Sequence, residues 1–140
     1  MKIAIVGSRD YDQPGWILQL LERLGRNPNT SEITIVSGGA RGVDKIAERG
    51  ALEYGFRVIS HPAEWAKYGR RAGFRRNHLI VSDADIVVAF WDGFSRGTMH
   101  SIDIAKSQGK VCYVVSNERV IFERVVLDVL RACAEPGSLE

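Results

Sequence analysis

The chain is poor in the residues that would tie it to several common classes of protein. Of its 140 residues, two are cysteine and four are proline. Cys112 and Cys133 stand far apart in apolar segments, without metal or redox spacing, so the default is a pair of buried free thiols in a reducing cytosol. His61, His78 and His100 lack metal-ligand spacing as well, and no metal site is expected. No apolar run approaches membrane-spanning length, and residues 2–6 read as a strand rather than a leader. The expected location is therefore cytoplasmic, with no membrane partner. Nineteen basic residues against 17 acidic ones leave a net charge of +2, which argues against a general coat protein for duplex DNA. No Gly-x-Gly-x-x-Gly follows the first apolar run, no Gly-Lys-Ser/Thr closes a Walker A loop, and no Gly-x-Ser-x-Gly elbow occurs. Dinucleotide-fingerprint, ATP-driven and serine-hydrolase chemistry have no support, and no cofactor is expected. Without repeats or linkers, residues 1–134 read as one domain. Residues 135–140, Glu-Pro-Gly-Ser-Leu-Glu, read as a disordered tail or an expression remnant.

What is present alternates with regularity. Short apolar runs recur at residues 3–6, 33–37, 57–60, 86–90 and 111–115, continuous and β-branched as strands buried on both faces are. Between them lie helical spacings. Trp16, Ile17, Leu20, Leu21 and Leu24 form one face, opened near Pro14 and closed before Asn27-Pro28. Val43, Ala47, Ala51 and Tyr54 form another. Residues 73–81 predict a third helix, Met99, Ile102 and Ala105 a fourth, and Phe122, Val125, Val126, Val129 and Leu130 a C-terminal one. Alternating β and α units predict an α/β fold: a Rossmann-like, doubly wound parallel sheet of about five strands, with helices on both faces.

In such sheets ligands bind beyond the carboxyl ends of the strands, and the unusual residues fall there. Gly38, Gly39, Ala40, Arg41 and Gly42 lie between the second strand and a helix start, where free helix amides and a guanidinium make an anion cradle. Gly7, Ser8 and Arg9 follow the first strand and offer amides, a hydroxyl and a cation. Ser95, Gly97 and Thr98 open another helix, on the opposite side of the same edge. These residues are the candidate phosphate ligands, with Trp91 beside them. Asp44 has two readings, a helix-end carboxylate or a group facing a sugar hydroxyl. Asp92 likewise is either an Asx turn before Gly93 or a ligand contact. Residues 67–76 hold Lys67, Arg70, Arg71, Arg75 and Arg76. With Trp65, Tyr68 and Phe74 interleaved, they are either a solvated face or a base-stacking, phosphate-binding strip. Asn77 would orient Arg76 or read a base edge.

The string Ser37-Gly38-Gly39-Ala40-Arg41-Gly42-Val43-Asp44, with Ala47-Glu48, Ala51 and Gly55 behind it, resembles the SLOG superfamily. Pro62-Ala63-Glu64-Trp65, Tyr68-Gly69, Ala72-Gly73, Arg76-Asn77 and Ala89-Phe90-Trp91-Asp92-Gly93, followed by Ser95, Gly97 and Thr98, resemble its YspA-related (YAcAr-type) branch. The likeness spans roughly residues 2–115. Two relatives bracket what it implies. DNA-processing protein A, a binder of single-stranded DNA, has a similar Ser-Gly-x-Ala-Arg-Gly-Ile-Asp stretch. Lonely Guy-type phosphoribohydrolases share a Gly-Gly-x-Gly-Thr-x-x-Glu loop, in which His100 is read here as replacing the glutamate. A neutral imidazole gives an oxocarbenium-like transition state no anionic support. The leading expectation is a nucleotide or nucleotide-derived ligand held by these loops. Two alternatives stand beside it. One is hydrolysis of a nucleoside 5'-monophosphate with Asp44 and Asp92 as catalytic carboxylates, and the other is single-stranded nucleic-acid binding through residues 65–77. The outer helix faces point to a homo-oligomer.

Overall fold

The computed structural model describes residues 1–27 and 30–134. The expectation for the tail at 135–140, and the Pro28 half of the first helix's stop signal, lie outside the described residues. Five strands form at the five apolar runs: β1 (Lys2–Gly7), β2 (Thr34–Ser37), β3 (Arg57–Ser60), β4 (Ile86–Phe90) and β5 (Val111–Val115). All pairings are parallel, in the order β3-β2-β1-β4-β5. The helices between them are α1 (Gly15–Gly25), α2 (Val43–Glu53), α3 (Trp65–Tyr68), α4 (Ala72–Asp83), α5 (Arg96–Ser107) and α6 (Arg119–Ala134). Among the described residues no helix is long and apolar enough to cross a membrane.

Because side chains alternate along a strand, each central strand feeds two cores. Ile3, Ile5, Ile86, Val88 and Phe90 point to one face, where they pack with Trp16, Ile17, Leu20, Leu21 and Leu24 of α1, Val43 and Ala47 of α2, and Phe122, Val126 and Val129 of α6. Ala4, Val6, Val87 and Ala89 point to the other, against Ile80 and Val81 of α4 and Ile102 and Ala105 of α5. The sheet is thus covered on both faces, as a doubly wound fold requires. The expectation that all five strands are buried on both faces fails at the edges. Arg57 and Ser60 of β3 and Val111 of β5 are exposed, since an edge strand has a neighbour on one side only. The four-residue helix α3 was also unforeseen, being too short to set up a periodicity.

The topology locates the functional edge. From β1 the chain moves outward through β2 to β3, then returns across the sheet to β4 and β5. The order reverses between β1 and β4, so the loops leaving these two strands diverge and open a crevice above their carboxyl ends.

Candidate functional site

Two glycines set the walls of that crevice. A Cβ on Gly7 would stand 2.6 Å from Val43 Cγ2 and 2.8 Å from the Phe90 carbonyl oxygen, so only a bare backbone lets the start of α2 close onto the end of β1. Gly42 takes φ 81°, and a Cβ there would fall 2.6 Å from the Arg9 carbonyl oxygen. The loop after β1 and the turn before α2 therefore interlock along their backbones. Ser8 is buried beneath them. Its amide donates to the Phe90 carbonyl at 3.0 Å, and its hydroxyl accepts the Asp92 amide at 3.2 Å and lies 3.4 Å from Thr98 Oγ1. Ser8 joins the β1 and β4 loops from below.

Above this floor lies a cavity of about 490 Å³. Of the residues singled out by sequence, Gly7, Arg9, Ala40, Arg41 and Asp44 line it from the β1 and β2 side. Arg76 reaches it from α4, and Asp92, Ser95, Gly97 and Thr98 line it from the β4 side. Four lining residues were not among the candidate ligands: Val6, Asp10, Phe94 and Ser101. Asp10 and Phe94 sit inside the very loops that carry the other candidates. Ser101 lies four residues after Gly97, one helical turn along the same face, a spacing that could have found it.

The remaining candidates are placed elsewhere. Ser8 supports the loops and does not line the cavity. A Cβ on Gly38 would come within 2.8 Å of Arg76 Cδ and 2.9 Å of Asp44 Oδ2, so this residue packs behind the cavity wall. Gly39 adjoins Ser60 and Glu48 on the β3 side, and Gly42 packs on Arg9. Asn77 does not line the cavity. Its buried amide donates to the Gly97 carbonyl at 3.3 Å and lies 3.1 Å from His100 Nδ1, tying α4 to the first turn of α5. Trp91 donates from Nε1 to the Ser95 carbonyl at 3.0 Å and lines a neighbouring cavity instead. His100 stacks edge-on against Phe74 at 4.7 Å and does not line the crevice. In a Gly-Thr-x-x-Glu pattern begun at Gly97-Thr98 the glutamate falls at Ser101, the residue that does line it, so the assignment of that position to His100 is corrected.

The two candidate carboxylates sit in opposed environments. Asp44, 8% exposed, receives the Ala40 amide on Oδ2 at 3.2 Å. Burial pushes its pKa up to about 6, a rise that the Ala40 amide and the Arg76 guanidinium reduce and Glu48 adds to. Asp92 accepts the Ser95 amide at 2.7 Å and the Phe94 amide at 2.8 Å on Oδ1. These two amides, Ser95 first, hold its pKa below the usual carboxylate value. Asp92 thus makes the Asx turn and also lines the cavity. Nε of Arg76 is buried with no hydrogen-bond partner among the described residues. A buried guanidinium donor left unpaired is costly.

The arrangement has a definite chemical character. Three guanidinium groups, Arg9, Arg41 and Arg76, share one cavity with three carboxylates, Asp10, Asp44 and Asp92. Helices α2 and α5 both begin beside it, and neither has a side-chain cap, which leaves their first amides without a side-chain partner. Among the described residues no cluster of His, Cys, Asp and Glu has the makings of a metal site. The rest of the basic stretch forms a separate surface. Trp65 and Phe74 are more than half exposed, and Arg75 and Lys67 lie over the Tyr68 ring at 4.5 and 5.1 Å.

A family model described as the YspA, cpYpsA-related SLOG family matches residues 1–68. The Gene 61 protein of Mycobacterium phage D29 is 36% identical over 115 residues, covering 77% of this chain and 90% of the phage protein. DNA processing protein A from Helicobacter pylori, whose structure addresses a single-stranded DNA binding mode, superposes with a TM-score of 0.68. It is 21% identical, over 95% of this chain and 80% of that one. The molybdenum cofactor binding protein from Rippkaea orientalis superposes with a TM-score of 0.62 at 18% identity, over 93% of this chain and 84% of its own. At these identities the two solved structures are likenesses of fold.

Proposed function

The chain belongs to the YspA, cpYpsA-related SLOG family, and from that premise we propose that it binds a nucleotide or nucleotide-derived ligand in the crevice between β1 and β4. The phosphate lies against the open starts of α2 and α5, within reach of Arg9, Arg41 and Arg76. The ribose hydroxyls donate to Asp44 and Asp92. The observation that carries this reading is the convergence of three guanidinium groups, Arg9, Arg41 and Arg76, on one cavity. An anion there gains charge-assisted hydrogen bonds. Gly39 adjoins Ser60 rather than the cavity, so the informative substitution is Arg76→Ala. Calorimetry with AMP, ADP-ribose, NAD and cyclic nucleotides is expected to find a binder whose affinity falls about tenfold or more in Arg76→Ala, as for a lost charge-assisted bond. Unchanged affinity in that variant would place the ligand elsewhere.

Two observations favour further readings. Asp44 and Asp92 have pKa values pushed apart, the arrangement that lets one carboxyl carry a proton while its neighbour stays ionised. This supports hydrolysis of the N-glycosidic bond of a nucleoside 5'-monophosphate. It is checked by assaying for free base and ribose 5-phosphate, and turnover that survives both Asp44→Asn and Asp92→Asn rules these residues out as its carboxylates. The exposed Trp65 and Phe74, with the cation-stacked Tyr68 between them in sequence, support single-stranded nucleic-acid binding along α3 and α4. The fold likeness to the Helicobacter pylori protein agrees with this second reading.

A further inference from the structure

A second cavity, of about 590 Å³, adjoins the first at the carboxyl ends of β4 and β5. Asp10, Asp92 and Phe94 line both, so these residues form a shared rim rather than a partition between unrelated hollows. The two halves differ in chemistry. The first holds three guanidinium groups; the second holds none, and its charged groups are all carboxylates: Asp10, Asp12 and Asp92. Its apolar lining includes Trp91, whose ring is held by the bond from Nε1 to the Ser95 carbonyl. Phe94 on the rim is 88% exposed, a large aromatic ring left in water at the mouth of both cavities.

We infer that the second cavity is the base subsite of the ligand described above, and that it takes guanine in preference to adenine. The inference rests on the nucleotide reading of the first cavity and adds to it the identity of the base. Stacking surface alone is indifferent to the base, since every base has a π face. The carboxylates are not indifferent. An ionised carboxylate only accepts hydrogen bonds, and it has two oxygens side by side. Guanine presents two adjacent donors, N1–H and the N2 amino group, which match that pair of oxygens. Adenine presents one donor beside the bare N1 acceptor, and a carboxylate meeting that edge leaves one oxygen facing a lone pair. Uracil presents a single N–H between two carbonyl oxygens, which oppose the carboxylate from both sides. Asp12 is the carboxylate that belongs to the second cavity alone, so it is the group assigned to the base edge. Asn117 lines the same cavity and supplies the amide donor that a guanine O6 would require.

The test is calorimetric titration of the full chain with ribose 5-phosphate, GMP, IMP and AMP, repeated on Asp12→Asn. Ribose 5-phosphate probes the first cavity without a base. The expected result is binding of all four, with GMP at least tenfold tighter than AMP and IMP between them, because hypoxanthine keeps N1–H and lacks the amino group. In Asp12→Asn the GMP advantage over AMP falls about tenfold, while ribose 5-phosphate affinity is unchanged. If ribose 5-phosphate binds but AMP equals or exceeds GMP, the base assignment is overturned and the nucleotide reading of the first cavity stands. Equal losses for ribose 5-phosphate and GMP in Asp12→Asn also overturn it, since Asp12 would then act on the shared part of the ligand. Failure of every probe to bind overturns both readings together.

Discussion

Asp44 shows how one side chain can carry opposing demands. Its place at the start of α2 suits a carboxylate, because the helix amides favour negative charge. Its burial does the reverse and pushes the pKa up to about 6. The folded protein therefore holds the proton more tightly than the unfolded chain does. Stability from this group is greatest below the ordinary carboxylate pKa, is lost as pH rises towards 6, and changes no further above that. At about 1.4 kcal/mol per pKa unit, the ionised carboxylate costs the ligand-free protein on the order of 2–3 kcal/mol at neutral pH. Asp44→Asn keeps an acceptor for the Ala40 amide and removes the charge. It is expected to raise the melting temperature by a few degrees at pH 7.5 and to leave it unchanged near pH 4. Equal shifts at both values would show that charge burial is not the cause. A residue retained at such a cost is a reasonable place to look for function, since stability is commonly traded away at binding sites.

At the scale of elements, the site depends on how closely helices approach strand ends, and glycines with different surroundings make this testable. Gly42 combines φ 81° with a backbone oxygen 2.6 Å from where a Cβ would sit, so Gly42→Ala must displace either α2 or the loop carrying Arg9. Chemical denaturation is expected to show a loss of more than about 2 kcal/mol. Gly97, near the start of α5, has nothing within 4 Å of where a Cβ would sit and no positive φ. Gly97→Ala is therefore expected to be neutral or to stabilise by up to about 1 kcal/mol, through the better helix propensity of alanine. The two substitutions look alike in the sequence, each a glycine beside a helix start in a candidate anion loop. What separates them is the chain segment packed against one of them. Such packing has no local signature, which is why the sequence groups Gly38, Gly39 and Gly42 with the cavity's lining residues although they are not among them.

Over the whole molecule, two groups of arginines stand on surfaces with different salt behaviour. Arg9, Arg41 and Arg76 line the crevice, whereas Arg70 and Arg71 are exposed just before α4 and Arg75 on its first turn. A mononucleotide brings few phosphates, while an oligonucleotide laid along exposed arginines displaces a counterion for nearly every phosphate it contacts. Raising salt from 50 to 200 mM is expected to weaken oligonucleotide binding by a larger factor than mononucleotide binding. The paired change Arg71→Glu and Arg75→Glu is expected to abolish the former and leave the latter within about twofold. Fluorescence anisotropy with labelled ligands reads both. Loss of mononucleotide binding in the paired variant would mean that the two surfaces act as one.

The linear order of residues specifies the fold and the edge on which to look. Five β-branched runs separated by helical spacings leave an alternating parallel sheet as the economical way to bury every apolar face, and glycine-rich turns before two helices mark where amides remain open. Which of the marked side chains meet is a matter of tertiary packing. Ser8 and Asn77 spend side-chain polar atoms on partners 20 to 90 residues away along the chain, while Trp91 bonds Ser95 of its own loop. Asp10, Phe94 and Ser101 enter the site because strand order reverses between β1 and β4, which opens the crevice beside them. Local pattern carries the period of an element and the chemistry of a loop. The direction in which each side chain finally points is set by contacts between segments remote in sequence.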